Sequence, residues 1–272
     1  MRGYRTLFVH IALTAAAFSI AAPILLSFIF STQTPAQIFS YPPRFSLGTA
    51  IVENYVTAWS DYHLGRYMLN SFIIAIAVTT GKTILSFSAA MVLVYFRFPL
   101  KSGVFAFILL TLMMPTEIMI VALFELVTGM GWSNSYAALI VPFLASATGT
   151  FLFRQHFMQV PASLVDAAVI DGAGPFRFAG SILLPMSMNV VAALAVIEFV
   201  YMWNQYLWPL IVIRQSSRQV VQVGLRMMSA GQDATNWGIV MAGAIITLIP
   251  ALIVFLLLQE QFSRGFALSQ EK

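Results

Sequence analysis

Residues 155–185 read QHFMQVPASLVDAAVIDGAGPFRFAGSILLP. The pattern predicts a helix, a tight turn and a second helix. Pro161 suits a first helical turn, where its missing N–H costs nothing. Ala167 and Ala168 are strong helix formers, and Gly172 can take the left-handed conformation that ends a helix. Pro175 opens the next helix by the same logic. Ala167, Ala168, Ala173 and Gly172 keep one face thin, so that another protein's surface can approach closely. Asp166 and Asp171 flank that face as charged contacts. An amphipathic segment lying on a membrane surface is the other reading of the same pattern.

On both sides of this segment the chain is apolar. Of its 272 residues 60% are hydrophobic and 9% charged, with a mean hydropathy of +0.86. Soluble domains average about 45–50% apolar and about 25% charged, so a soluble enzyme, a nucleic-acid binder and a disordered chain are excluded. Six apolar stretches approach the ~20 residues a membrane span requires: Leu7–Phe30, Tyr67–Phe96, Val104–Leu126, Tyr136–Phe153, Met186–Ile213 and Trp237–Leu258. The first follows Arg2 and Arg5, but its 24 residues exceed the roughly 7–15 of a signal-peptide core, and it reads as a retained helix. The expectation is one all-α membrane domain, residues 1–272, with six transmembrane helices and residues 154–185 as a cytoplasmic loop within it.

Charge sets the orientation. The N-terminus, the second and fourth connections and the C-terminus carry Arg2, Arg5, Arg97, Lys101, Arg154, Arg177, Arg264 and Lys272. The opposite side carries Arg44, Arg66, Arg214, Arg218 and Arg226; with Lys82, inside a span, these are all 14 Lys and Arg. The positive-inside rule places both termini in the cytoplasm. Pro23, Pro115, Pro142, Pro209 and Pro250 fall within spans, where each deletes a helical hydrogen bond. Together they favour helices that bend around a pathway. With no cysteine there is no disulfide or thiolate metal site. His10, His63 and His156 are too scattered to hold a metal.

The run Asp166-Ala167-Ala168-x-x-Asp171-Gly172-Ala173, with Pro185 twelve residues further on, resembles the "EAA" loop of inner-membrane permease subunits of ATP-binding-cassette importers. The resemblance implies the type I permease fold, with Asp166, Ala167, Ala168, Asp171, Gly172 and Ala173 forming a coupling helix seated in a cleft of an ATPase subunit. Two positions depart from the family: Asp166 stands where glutamate is usual, and Ala179 where phenylalanine is frequent, with Phe178 adjacent. Asn70-Ser71, Ser88-Ala89-Ala90, Arg97-Phe98-Pro99 and Trp203-Asn204-Gln205-Tyr206-Leu207-Trp208-Pro209-Leu210 are similar to the carbohydrate-uptake branch. Residues 145–155, the Trp203–Leu210 string and Gly81-Lys82 resemble, within it, permeases of sn-glycerol-3-phosphate importers. The implied partners are a second homologous permease subunit, two ATP-binding subunits contacted through residues 161–185, and an extracytoplasmic substrate-binding protein, all at a bacterial cytoplasmic membrane. ATP and Mg would be bound by the ATPase partner. This chain has no phosphate-cradling G-x-x-x-x-G-K-[ST] loop and is read as a transport subunit, not an enzyme.

An ionisable group at membrane depth is expensive and is a functional candidate. Lys82 reads either as a cation awaiting an anionic substrate or as half of a structural contact with a helix carbonyl or Glu117. Glu117 and Glu198 read as cavity-lining, protonated or paired with a base on the partner subunit. Trp203, Tyr206 and Trp208 read either as an interfacial aromatic belt or as ring platforms for a polyol, with Asn204 and Gln205 supplying amides for its hydroxyls. Asn70 joins them as a substrate-path candidate. The expected cargo is sn-glycerol 3-phosphate or a glycerophosphodiester, moved by alternating access, with a neutral sugar or oligosaccharide as the alternative. A membrane enzyme lacks its nucleophile, base and metal cluster here, and ATP-dependence of uptake separates a pump from a channel.

Overall fold

The structure, a computed structural model, describes residues 2–115, 118–230 and 236–267, with side chains over 6–115, 118–230 and 236–259. Glu117 and Lys272 lie outside the described residues, as do the side chains of Arg2, Arg5 and Arg264. Every element among the described residues is helical. The principal helices are α1 (Arg2–Ser31), α2 (Ile51–Ser60), α3 (Leu64–Tyr95), α4 (Lys101–Leu112), α5 (Ile120–Gly129), α6 (Tyr136–Ile140), α7 (Ala147–Phe157), α8 (Ala162–Ile170), α9 (Met188–Trp203), α10 (Leu207–Val212), α11 (Val221–Ser229) and α12 (Trp237–Ala267).

Among the described residues, four stretches are long and apolar enough to cross a bilayer: Thr6–Ser31, Leu64–Tyr95, Tyr136–Phe157 and Trp237–Gln259. A fifth arises if Pro175–Met186 and Met188–Trp203, which meet at 76°, count as one broken span. The expected span Val104–Leu126 is instead carried by two shorter helices, α4 and α5. Pro115 stands between them and has no N–H to return to the carbonyl of Thr111. The expected span Met186–Ile213 is interrupted at residues 204–206, between α9 and α10, where Pro209 likewise leaves the carbonyl of Gln205 without its helical partner. Pro23 and Pro250, by contrast, lie inside continuous helices.

The chain forms two compact units. The first, residues 1–68 and 221–250, is organised by the end of α1. A helix C-terminus leaves its last carbonyls unpaired. Here Asn54 answers them, its amide donating to the carbonyls of Ser31 and Gln33 at 2.9 and 3.0 Å. The Gln33 amide donates in turn to the carbonyls of Arg44 and Ser46 at 3.0 and 2.8 Å. Ser31, Thr32, Gln33 and Asn54 are all buried. Gly238 permits this close approach, since a Cβ there would lie 2.5 Å from both the Asn54 amide nitrogen and the Gln33 carbonyl.

The second unit, residues 69–220 and 251–272, holds an apolar core of Ala90, Phe153, Phe157, Ala168, Phe178, Leu183 and Leu194. Lipid is as apolar as leucine, so helices in a membrane associate through close packing and small residues. Gly149 on α7 provides this: a Cβ would stand 2.5 Å from the Ser86 hydroxyl on α3 and 3.0 Å from Leu194 on α9. Gly81 admits Leu144 in the same manner, at 2.4 Å from where a Cβ would be.

Candidate functional site

Three features of the second unit bear on function. The first is the segment on which the sequence reading turned. The residues after Pro161 form α8, ending at Ile170, and Gly172 closes it with a φ of +67°. The Ala173 N–H returns to the Ala168 carbonyl at 2.9 Å. No atom would lie within 4 Å of a Cβ at Gly172, so glycine is needed there for its backbone angle alone.

Ala168 is buried against the core while Asp166, Ala167, Asp171 and Gly172 are exposed. Around them stand apolar side chains without cover in this chain: Val169 is 70% exposed, Ile170 84% and Phe176 92%. Phe178 is buried and meets Tyr95 edge-to-face with ring centroids 5.2 Å apart. Tyr95 donates its hydroxyl to the Phe157 carbonyl at 3.1 Å. His156 Nε2 lies 3.1 Å from the Met186 carbonyl, beside the 76° bend. The arrangement is a helix anchored on one side and presented to solvent on the other. Beneath it, a gap of about 180 Å³ bounded by Met91, Tyr95, Val165 and Ala173 remains unfilled.

The second feature is a cavity of about 420 Å³ at the break between α9 and α10, bounded by Tyr201, Asn204, Gln205, Tyr206, Trp208 and Phe143 among others. Aromatic rings, two amides and two phenols therefore share one space. Asn204 is exposed, and its amide also donates to the Val200 carbonyl at 2.8 Å. Trp208 is buried, its indole N–H donating to the Ala138 carbonyl at 2.9 Å; it fixes the cavity wall. Trp203 is 2% exposed, stacked on Phe199 with centroids 5.7 Å apart, and lies outside the lining.

Asn70 does not line the cavity either. Its amide donates to the carbonyls of Ser217 and Gln219 at 3.0 and 2.8 Å, and its oxygen accepts from the Tyr136 hydroxyl at 2.8 Å. It clamps the 216–219 turn to α3. Arg218 donates to the Asn134 carbonyl, and the Asn134 side-chain oxygen accepts from the N–H groups of Arg214 and Gln215 at 3.2 and 3.0 Å. No signal in the sequence marked this clamp, whose members lie as far apart as Asn70 and Gln219.

The third feature is a pairing that the sequence did not disclose. Lys82 Nζ lies 2.5 Å from Glu198 Oε2, with both side chains buried. Ser146 donates to the other carboxylate oxygen at 3.4 Å. Lys82 is 18 residues from the start of α3 and 13 from its end, so at about 1.5 Å per residue it is ~27 and ~20 Å from the two termini. Removing one member of such a buried pair typically costs about 3–5 kcal/mol, because the other is left uncompensated.

Residues 82–267 match the family described as binding-protein-dependent transport system inner membrane component. The chain is 42% identical over 264 residues to the sn-glycerol-3-phosphate transport system permease protein UgpE of Brucella abortus (strain 2308), covering 94% of each. The protein of that name from Salmonella typhi is 41% identical over 273 residues, covering 98% of this chain and 97% of its own. Among solved structures, a chain of a bacterial ABC transporter involved in import of the acidic polysaccharide alginate superposes with a TM-score of 0.84. It is 20% identical, over 96% of this chain and 98% of that one. A second alginate transporter structure, in complex with its periplasmic protein bound to an alginate pentasaccharide, gives 0.66 at 14% identity over 97% and 96%.

Proposed function

The chain belongs to the binding-protein-dependent transport system inner membrane components, and on that premise we propose that it forms half of a translocation pathway for sn-glycerol 3-phosphate. The observation that carries the cargo is the likeness, over nearly the whole chain, to permeases named for that substrate. Those names favour the phosphate ester over a neutral sugar, the alternative reading. The chemistry of the cavity suits a small polyol ester, since Tyr206 and Tyr201 offer ring faces to its carbon chain while Asn204 and Gln205 offer amides to its hydroxyls.

Energy enters from separate ATP-binding subunits, which hold ATP and Mg. They engage residues 161–185, where Asp166, Asp171 and the exposed Val169, Ile170 and Phe176 form a surface of mixed charge and apolar contact. A second homologous permease completes the pathway, and an extracytoplasmic binding protein delivers the substrate. Six crossings with both termini in the cytoplasm accommodate the observed helices if α4 and α5 together make one crossing, and α9 with α10 another.

The deciding experiment reconstitutes the chain with its partner permease, ATPase subunits and binding protein in proteoliposomes. Uptake of sn-glycerol 3-phosphate should require ATP, and the phosphate ester should stimulate ATP hydrolysis. Stimulation by a neutral oligosaccharide in its place would overturn the cargo, and uptake without ATP would make the assembly a channel.

A further inference from the structure

We propose that Lys82 and Thr79 form a phosphate subsite whose resident counter-ion is Glu198, itself held by Ser146, so that the substrate's phosphate gains the ammonium by displacing that carboxylate. This rests on the phosphate-ester reading above and specifies how the charge of the ester is recognised.

Four observations converge on it. Lys82 and Glu198 are joined at 2.5 Å, with side chains 9% and 8% exposed, at the middle of the longest helix. The pair adjoins the cavity through Tyr201, which lines the space and whose ring centroid is 5.4 Å from the ammonium. Tyr201 is 42% exposed, so its ring is not locked by surrounding packing in this chain. Thr79, one turn from Lys82 on the same side of α3, is buried, yet its hydroxyl has no partner among the described residues. A buried hydroxyl without a partner is costly, and a hydroxyl and an ammonium one turn apart on one face of a helix are donors that the oxygens of one phosphate could share. Ser146 stands on the other side of the pair, donating to Glu198.

In the empty state the lysine is neutralised and need not wait as a bare charge in a low-dielectric site, which would be prohibitive. A phosphate brings a charge able to compete for it, together with acceptors for Thr79, while Glu198 retains the Ser146 hydroxyl. Neutral polyols bring acceptors but no charge to displace the carboxylate. Glu198 is thus a specificity-determining residue: it sets the minimum charge that a cargo must carry to enter.

The test is uptake of sn-glycerol 3-phosphate by the reconstituted complex carrying Lys82→Met, Glu198→Gln, Thr79→Val or the Lys82→Met/Glu198→Gln double change, with assembly followed by co-purification of the partner subunits. Lys82→Met should lower uptake at least about tenfold, equivalent to ~1.4 kcal/mol. Glu198→Gln leaves Lys82 without its resident counter-ion and should lower the amount of complex recovered, but the complex that assembles should take up the ester with a lower half-saturating concentration, because its competitor is gone. Inorganic phosphate should then inhibit the Glu198→Gln complex more strongly than the parent. Thr79→Val should raise the half-saturating concentration. The double variant has no uncompensated charge and should assemble as the parent does, while failing to transport. Recovery of uptake by the double variant would show that the pair is only a structural contact. Loss of uptake by Glu198→Gln in an assembled complex, or parental uptake by Lys82→Met, would equally overturn the proposal. If the unaltered complex fails to respond to the ester at all, it is the cargo reading that fails, before any variant is compared.

Discussion

At the scale of single residues, two substitutions separate the coupling segment from the path. Gly172 holds a φ of +67° in open space. Gly172→Val meets no steric neighbour but carries a left-handed penalty of about 1–2 kcal/mol, so it should reduce uptake while the permease subunits still co-purify. Gly172→Asn, which tolerates that conformation better, should retain more of the activity. Normal uptake by the valine variant would remove the turn from the coupling pathway. Asn204 is exposed at the cavity. Asn204→Ala should raise the half-saturating concentration of sn-glycerol 3-phosphate several-fold, as expected for a lost hydrogen bond of about 1 kcal/mol, with membrane levels unchanged. Equal transport kinetics would assign the amide to its bond with the Val200 carbonyl alone.

At the scale of helices, close approach matters more than hydrophobicity. Gly149→Val should be severe, because added methyls would enter space held by Ser86 and Leu194 and overpacking costs about 1–3 kcal/mol or more. The expected readout is a lower midpoint of thermal unfolding in detergent and less complex recovered. Gly103, around which a Cβ would meet nothing within 4 Å, is the matched control. The same scale explains what the sequence disclosed and what it withheld. The coupling segment was legible because its signals are local: two prolines, a pair of alanines and a glycine within the fifteen residues from Pro161 to Pro175 dictate α8 and its turn. The Lys82–Glu198 pair spans 116 positions, and which acid a buried lysine finds depends on how α3 and α9 pack, which no periodicity encodes. Asn70 and Trp208 show the reverse. Their chemistry suited a substrate, but carbonyls of Ser217, Gln219 and Ala138 had first claim on their donors. The breaks near Pro115 and Pro209 were foreseeable as kinks, because each proline deletes a helical hydrogen bond.

At the scale of the whole molecule, the absence of cysteine gives a direct test of orientation. A single cysteine placed at Ser163 should react with an impermeant thiol reagent only after the membrane is opened, whereas one at Ser216 should react from outside in intact cells. The opposite pattern would invert the topology drawn from the Lys and Arg distribution.

The first helix has a consequence of its own. None of its spanning window is buried within the chain, while the residues just beyond it, Ser31 to Gln33, are enclosed on all sides. The two stretches are therefore under different kinds of selection. Along the helix only oiliness is required, and leucine, isoleucine, valine and phenylalanine are interchangeable spellings of it, so far as this chain's own packing is concerned. At the collar each atom has one place to be. A saturation library across residues 7–33 should accept most apolar exchanges up to Phe28, grow stricter through the half-buried Ile29 and Phe30 and turn intolerant at Ser31, a boundary in the genetics that follows the one in the burial.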